Sequence, residues 1–201
     1  MSCNWGILGP GFVATKAVIP AIQQVSAAHV LHAAFSFPFA VPANYRAIKE
    51  LGGGALLDIE SYCVNATRWL SALEPQVVHA RTSYSYEIDI STSALISFGQ
   101  ETQAHLQCSF AAAEHQVIEA VGSTAAVTAP LAFTAWRDDV TELLIQRGGV
   151  FERKQFAPAD SYQAMVAHFT DCVLGNQMLL YPPEDGQATV RVLEMLREAG
   201  K

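Results

Sequence analysis

Acidic residues are missing from the opening quarter of the sequence: no aspartate or glutamate precedes Glu50. Residues 1–49 carry only Lys16, Arg46 and Lys49, so residues 50–201 bear a net charge of −10. Charge is scarce overall, at 15% of 201 residues, with 12 Lys and Arg against 19 Asp and Glu. A chain of net charge −7 without a basic stripe would approach phosphate against repulsion, which argues against nucleic acid as a partner. Long hydrophobic runs are also missing. The longest candidate, Val25 to Val41, is broken by Ser26, His29, His32, Ser36 and Pro38, so no stretch of about 18 apolar residues suggests a membrane span. Met1 to Gln24 has no basic leader followed by an apolar run. The chain therefore reads as soluble and cytoplasmic. Its 51% hydrophobic content is expected to fill a core. The four cysteines, Cys3, Cys63, Cys108 and Cys172, form no C-x-x-C pair and read as reduced core thiols. No His, Cys and carboxylate set has metal-ligand spacing, and no G-x-S-x-G elbow is present.

The patterning that remains predicts an α+β chain. Cys3 to Leu8 is a short apolar run ending in Gly9-Pro10-Gly11, which predicts a strand entering a turn. Ala14, Ala17, Val18, Ala21, Ile22 and Val25 follow at helical spacing, interrupted by Pro20. His29 to Ala40 predicts a strand in which Phe35, Phe37 and Phe39 alternate with Ser36 and Pro38. After the break Leu51-Gly52-Gly53-Gly54, a helix is expected from about Ala55 to Leu70. Ala94, Ile96 and Phe98, then Ala104, Leu106, Cys108 and Phe110, keep a two-residue period opposite Gln103, His105, Gln107 and Ser109. This is the pattern of an antiparallel sheet with one covered face. Runs at 116–121, 125–129, 142–146 and 151–156 extend it, with Gly148-Gly149 as a hairpin turn. Two closing helices are expected, from Ser161 to about Leu174 and from Pro182-Pro183 to Gly200. The expected fold is a large, mostly antiparallel open sheet with helices on one face, preceded by a single βα unit.

That βα unit carries a nucleotide fingerprint. Gly9-Pro10-Gly11-Phe12-Val13-Ala14 holds G-x-G-x-x-A between a predicted strand and a predicted helix. In a dinucleotide site the first glycine makes the turn, the second admits the pyrophosphate, and the small third residue lets helix and strand pack. Gly9, Gly11, Phe12 and Ala14 are thus the candidate cofactor-binding residues. Two companions are missing. The acid expected about 20 residues on, for the ribose, is absent from the acid-free opening. There is also room for only one βα unit before the Phe-rich strand, where a dinucleotide domain needs two βαβαβ halves. The adenosine half of a cofactor would have nothing to lie against.

At Leu51-Gly-Gly-Gly-Ala-Leu-Leu-Asp58, with Tyr62, Arg68-Trp69-Leu70 and Glu74-Pro75 after it, the chain resembles the glucose–fructose oxidoreductase / inositol dehydrogenase / MocA (Gfo/Idh/MocA) family. The likeness is nearest to its dihydrodiol- and sugar-dehydrogenase-like members. Ala34-Phe-Ser-Phe37, Asn44-Tyr-Arg46, Cys108-Ser-Phe110, Val121-Gly122 and Tyr181-Pro-Pro-Glu-Asp185 carry the same resemblance. It implies a C-terminal substrate and oligomerisation domain over residues 31–201 and, over 1–30, the βα remnant of a shortened nucleotide-binding Rossmann domain. The family's E-K-P motif, with its lysine at the catalytic centre, occurs nowhere in the sequence.

The resemblance implies an oxidoreductase that uses NAD or NADP on a sugar, polyol or diol. Tyr62 would be the general acid/base exchanging a proton with the substrate hydroxyl, and Asp58 would orient the substrate or that phenol. Asp58 and Tyr62 are four apart and share one face of the predicted helix. Without the lysine, Tyr62 is expected to stay protonated, because a phenol near pKa 10 needs a nearby cation to ionise. Arg46 is the candidate substrate-binding residue, with a surface ion pair as its alternative role. Glu60 stands where the family commonly has glycine, near the expected approach of cofactor and substrate. The chain is therefore expected to be inactive alone. The competing expectation is a non-catalytic sheet module that folds and forms a homodimer through Gln103, His105, Gln107 and Ser109 on the open face.

Overall fold

The structure is a computed structural model and describes residues 28–39 and 44–201. The fingerprint residues Gly9, Gly11, Phe12 and Ala14, with the βα unit around them, lie outside the described residues. Eight strands form one sheet: β1 (Ala28–Ser36), β2 (Pro75–Ser85), β3 (Ile88–Phe98), β4 (Thr102–Ser109), β5 (His115–Gly122), β6 (Ala125–Pro130), β7 (Thr141–Arg147) and β8 (Val150–Phe156). Their order is β2-β3-β4-β1-β5-β6-β7-β8. β1 runs parallel to β4, and every other neighbouring pair is antiparallel. The expected open, mostly antiparallel sheet is what forms.

Two adjacent cross-strand rows show how the sequence sorts the two faces. Val78, Ile96, Ala104, Leu31, Ala120, Val127 and Ile145 lie side by side across seven strands, all apolar. Ile96, Ala104, Leu31, Ala120 and Val127 are almost wholly buried. One residue away, His79, Leu95, His105, His32, Glu119, Thr128, Leu144 and Arg153 form the opposite row. That face stays uncovered, with Leu95 at 51% and Leu144 at 37% exposure. The two-residue period puts the apolar set on one side only. Ser109 departs from its expected place. It shares the parity of Gln103, His105 and Gln107 yet is 4% exposed, with its hydroxyl accepting from the Ala111 amide as the chain turns back after β4.

The covered face meets a helical layer: α1 (Ser61–Ser71), entered through a π turn over Leu56–Glu60, and α3 (Pro183–Ala199). α1 lies over β1 and β4, while α3 lies over β2. Val192, Leu193 and Leu196 of α3 are buried as the spacing predicts, with Thr189 beside them. α2 (Ser161–Val173), N-capped by the Asp160 carboxylate accepting from Gln163 N–H at 2.9 Å, has no buried residue. Cys63 and Cys108 are buried free thiols, as expected, and Cys172 is half-buried. Among the described residues no helix is long and apolar enough to cross a membrane.

One polar lock joins α1 to α3 and to the start of β2. Arg68 is 6% exposed and forks onto Glu74, Nε to Oε2 at 2.9 Å and Nη2 to Oε1 at 2.6 Å. Its Nη1 reaches Asp185 Oδ1 at 3.1 Å and Thr189 Oγ1 at 2.8 Å. A rigid guanidinium satisfies three partners where a lysine would reach one or two. Arg68→Met should destabilise the chain by about 2–3 kcal/mol in denaturant melts, with half-exposed Glu74 contributing least. A change below about 0.5 kcal/mol would show that the lock is not needed.

Candidate active site

The site begins at a helix start that the chain itself occupies. Gly52 takes a left-handed φ of 76° and Gly54 a φ of 119°. Gly53 N–H donates to Ile48 O and Gly54 N–H to Arg46 O, both at 2.9 Å. A Cβ on Gly53 would stand 2.6 Å from Arg46 O, and one on Gly54 would overlap the Asp89 carboxylate. Asp89, from the second residue of β3, accepts the Leu56 N–H at 2.5 Å. The triple glycine thus brings three segments together where side chains do not fit. Burial raises the Asp89 carboxyl above its ordinary range, opposed by the helix-start amides of Leu56 and Ala55.

A dinucleotide-binding glycine loop presents free backbone N–H groups to a pyrophosphate at a helix N-terminus. Here the Gly53, Gly54 and Leu56 donors are all taken, and a carboxylate sits where the phosphate would bind. The described glycine loop therefore does not fit a nucleotide cofactor.

The π turn that follows carries Asp58, and α1 carries Tyr62 one turn on. The expected uninterrupted helix from Ala55 is thus widened at its start, as π turns often are beside functional residues. Arg46 comes from a short 3₁₀ turn, Tyr45–Ala47, capped by Asn44 Oδ1 accepting the Arg46 N–H at 3.0 Å. Its Nε donates to Asp58 Oδ2 at 2.6 Å, and its guanidinium lies 4.8 Å from the Tyr45 ring centroid. Of the two alternatives for Arg46, the ion pair is the one the structure shows, and its partner is Asp58. The carboxylate bond raises the Arg46 pKa. Both side chains remain partly exposed, at 30% and 17%.

Tyr62 is half-buried against Phe35 and Phe133, at centroid distances of 5.6 and 5.9 Å in edge-on contact. Phe35 and Phe133 stack on each other at 5.4 Å. Burial raises the phenol pKa; the neighbouring Tyr162 and Asp58 push the same way, and Arg46 opposes them. The expectation of a protonated Tyr62 agrees with this direction. Asp58, Tyr62 and Arg46, picked from the sequence, are brought together by the fold.

The sequence reading missed Phe133, Asp89 and Gln116. Buried Gln116 accepts the backbone N–H groups of Phe133 and Thr134 at 3.1 and 3.0 Å, holding the loop that seats Phe133 on Tyr62. Nothing in the local pattern of these three residues marks them, because each acts across a long sequence separation. Glu60 is a correction. It is fully buried on the core side, not at the approach to Asp58 and Tyr62. Among the described residues no three His, Cys, Asp or Glu side chains are placed to hold a metal ion.

A model of the GFO/IDH/MocA C-terminal domain matches residues 23–128. The chain belongs to that family. An uncharacterized oxidoreductase from Rhizobium meliloti is 27% identical over 159 residues, covering 76% of this chain and 48% of that protein. The dTDP-3,4-didehydro-2,6-dideoxy-alpha-D-glucose 3-reductase of Saccharopolyspora spinosa is 31% identical over 140 residues, 68% of this chain and 42% of that protein. The crystal structure of a 3-ketoreductase from Actinomadura kijaniata, in complex with NADP and TDP-benzene, superposes with a TM-score of 0.84. It is 21% identical and shares the fold over 94% of this chain and 59% of its own. The chain spans about half the length of the curated relatives it matches.

Two outcomes follow from this geometry. Gly54→Ala should cost about 2 kcal/mol in denaturant melts, through its φ and the displaced Asp89. In NMR titrations of the tyrosine ring carbons, Asp58→Asn should let Tyr62 ionise at lower pH, and Arg46→Ala only at higher pH. Identical Tyr62 titrations in both variants would show that the three groups do not interact.

Proposed function

We propose that the chain is the substrate-binding half of a nicotinamide-dependent oxidoreductase acting on a sugar, polyol or related diol. The observation that carries this reading is Tyr62, a half-buried phenol held neutral beside the Arg46–Asp58 ion pair. A phenol that stays neutral has a proton to give to a carbonyl oxygen on which negative charge develops. Tyr62 Oη gives its proton to that oxygen as the substrate carbonyl is reduced, and solvent restores it. Asp58 accepts from a substrate hydroxyl, while Arg46 holds the carboxylate in place through the 2.6 Å bond. Phe35 and Phe133 exclude water from one side of the phenol. A nicotinamide group would carry the hydride, and none of the residues just named holds it. The sugar-nucleotide reductase of Saccharopolyspora spinosa supports a sugar as the substrate class.

A second reading rests on the uncovered sheet face. Val30, Leu95 and Leu144 are at least 37% exposed there, among Gln103, His105 and Gln107. We propose that two copies pair through it to form a homodimer, as an open apolar-bearing sheet face favours.

For the first reading, saturation-transfer NMR on the whole chain should detect a sugar or sugar nucleotide, and Tyr62→Phe should raise its Kd five- to tenfold, the worth of about one hydrogen bond. Calorimetry with NADPH should give no measurable heat. Equal sugar affinity in Tyr62→Phe would overturn it, and a micromolar Kd for NADPH would overturn its restriction to the substrate-binding half. For the second, light scattering should give twice the chain mass, and a monomer at micromolar concentration would count against pairing.

A further inference from the structure

The π turn ends on Glu60, whose side chain is 0% exposed and whose two carboxyl oxygens have no hydrogen-bond partner of good geometry. An acid in that condition is rare: carboxylates are almost never fully buried unless paired, and an orphaned polar atom in a core calls for an explanation. The groups facing Glu60 do not supply a counter-charge. From α1 comes the Cys63 thiol, from β4 the Cys108 thiol, and from β3 the Asp89 carboxylate, which repels it. β1 presents Leu31, Ala33 and Phe35 to the same layer. From α3, Arg197 acts on Asp89, and among the described residues no cation acts on Glu60. Cys108 is a weak donor and offsets the burial only in part.

We propose that Glu60 is an alkaline release for the site: while neutral it packs as a core side chain, and when it ionises the π turn and the start of α1 leave the sheet, carrying Asp58 and Tyr62 with them. Nothing in the core solvates the anion, so the low-energy response is to bring the turn to water. The elements that move are small. The π turn is held by the Asp89 bond to Leu56 and by packing on β1, β3 and β4. Burial pushes the Glu60 carboxyl up to about 8, so the device operates at mildly alkaline pH.

The sign follows from linkage. The folded chain keeps a proton on Glu60 between its ordinary value of 4.5 and about 8, whereas the unfolded chain has lost it. Stability therefore falls as pH rises through that window and levels off above it. Denaturant melts of the full chain from about pH 5 to about pH 9 should show the unfolding constant rising up to about tenfold per pH unit more steeply than in Glu60→Gln. Above pH 8, hydrogen exchange of the amides of residues 57–64 should accelerate in the parent chain beyond its intrinsic base dependence, and not in Glu60→Gln. Glu60→Met serves as a second variant that asks for no donor or acceptor. Infrared difference spectra of the parent chain, with labelled glutamate, should show a protonated-carboxyl band at pH 7 that disappears on going to pH 9. Parallel pH profiles in parent and variants, or the absence of that band at pH 7, would overturn the proposal.

Discussion

The bond from Asp89 to the first amide of the helical segment is the constraint on which the site depends. It fixes where the π turn begins, and through that the position of Asp58. Gly54 exists in its unusual conformation because the carboxylate needs the space where a Cβ would be. Arg46 is placed by the same knot, since its carbonyl accepts from Gly54 and its guanidinium closes on Asp58. One half-buried acid on a strand therefore aligns three segments that are separate in sequence. It also consumes the donors that such a helix start would otherwise offer to an anion. The domain consequently has a helix N-terminus and a glycine run without a phosphate site.

The helical layer contains two unlike kinds of buried polar group. Arg68 is fully engaged, with each of its donor nitrogens meeting a carboxylate or hydroxyl, and it ties α1 to α3. Glu60, two helical turns earlier, lies buried without a good partner. Satisfied networks rigidify a core, whereas a half-satisfied one is a place where it can open. The layer thus has a firm end at Arg68 and a conditional end at the π turn, and the proposed acid–base residues lie beside the conditional one.

Much of the fold was legible in the sequence because a two-residue period survives wherever one face is covered. Ala104, Leu106 and Cys108 announced β4, and Gly148-Gly149, both left-handed, announced the β7–β8 hairpin. β2 was not read: Pro75–Ser85 is an edge strand carrying Ser, Thr, Arg and His, with Val78 and Ala80 packed on the core. The Phe-rich strand was read too long. Past Ser36 the chain stays extended, with Phe37 N–H on Ser109 O and Phe39 N–H on Phe110 O, but no longer as a ladder strand. At the site, Asp58, Tyr62 and Arg46 were legible through resemblance. The π turn was not, because nothing in Leu56–Glu60 distinguishes it from an ordinary helix start. The burial of Glu60 was likewise invisible, since a charged side chain at that spacing fits a solvated position equally well.

The placement of β1 has a consequence for how the molecule comes to exist. The earliest of the described strands lies fourth in the sheet, and both of its neighbours, β4 and β5, are made more than 60 residues later. Until they emerge, Leu31, Ala33 and Phe35 have no ladder to join. Such long-range pairings are slow to close, and they leave an apolar segment open to wrong partners meanwhile. During synthesis this segment must be shielded, or must wait until β4 and β5 are made, before the domain can close around it.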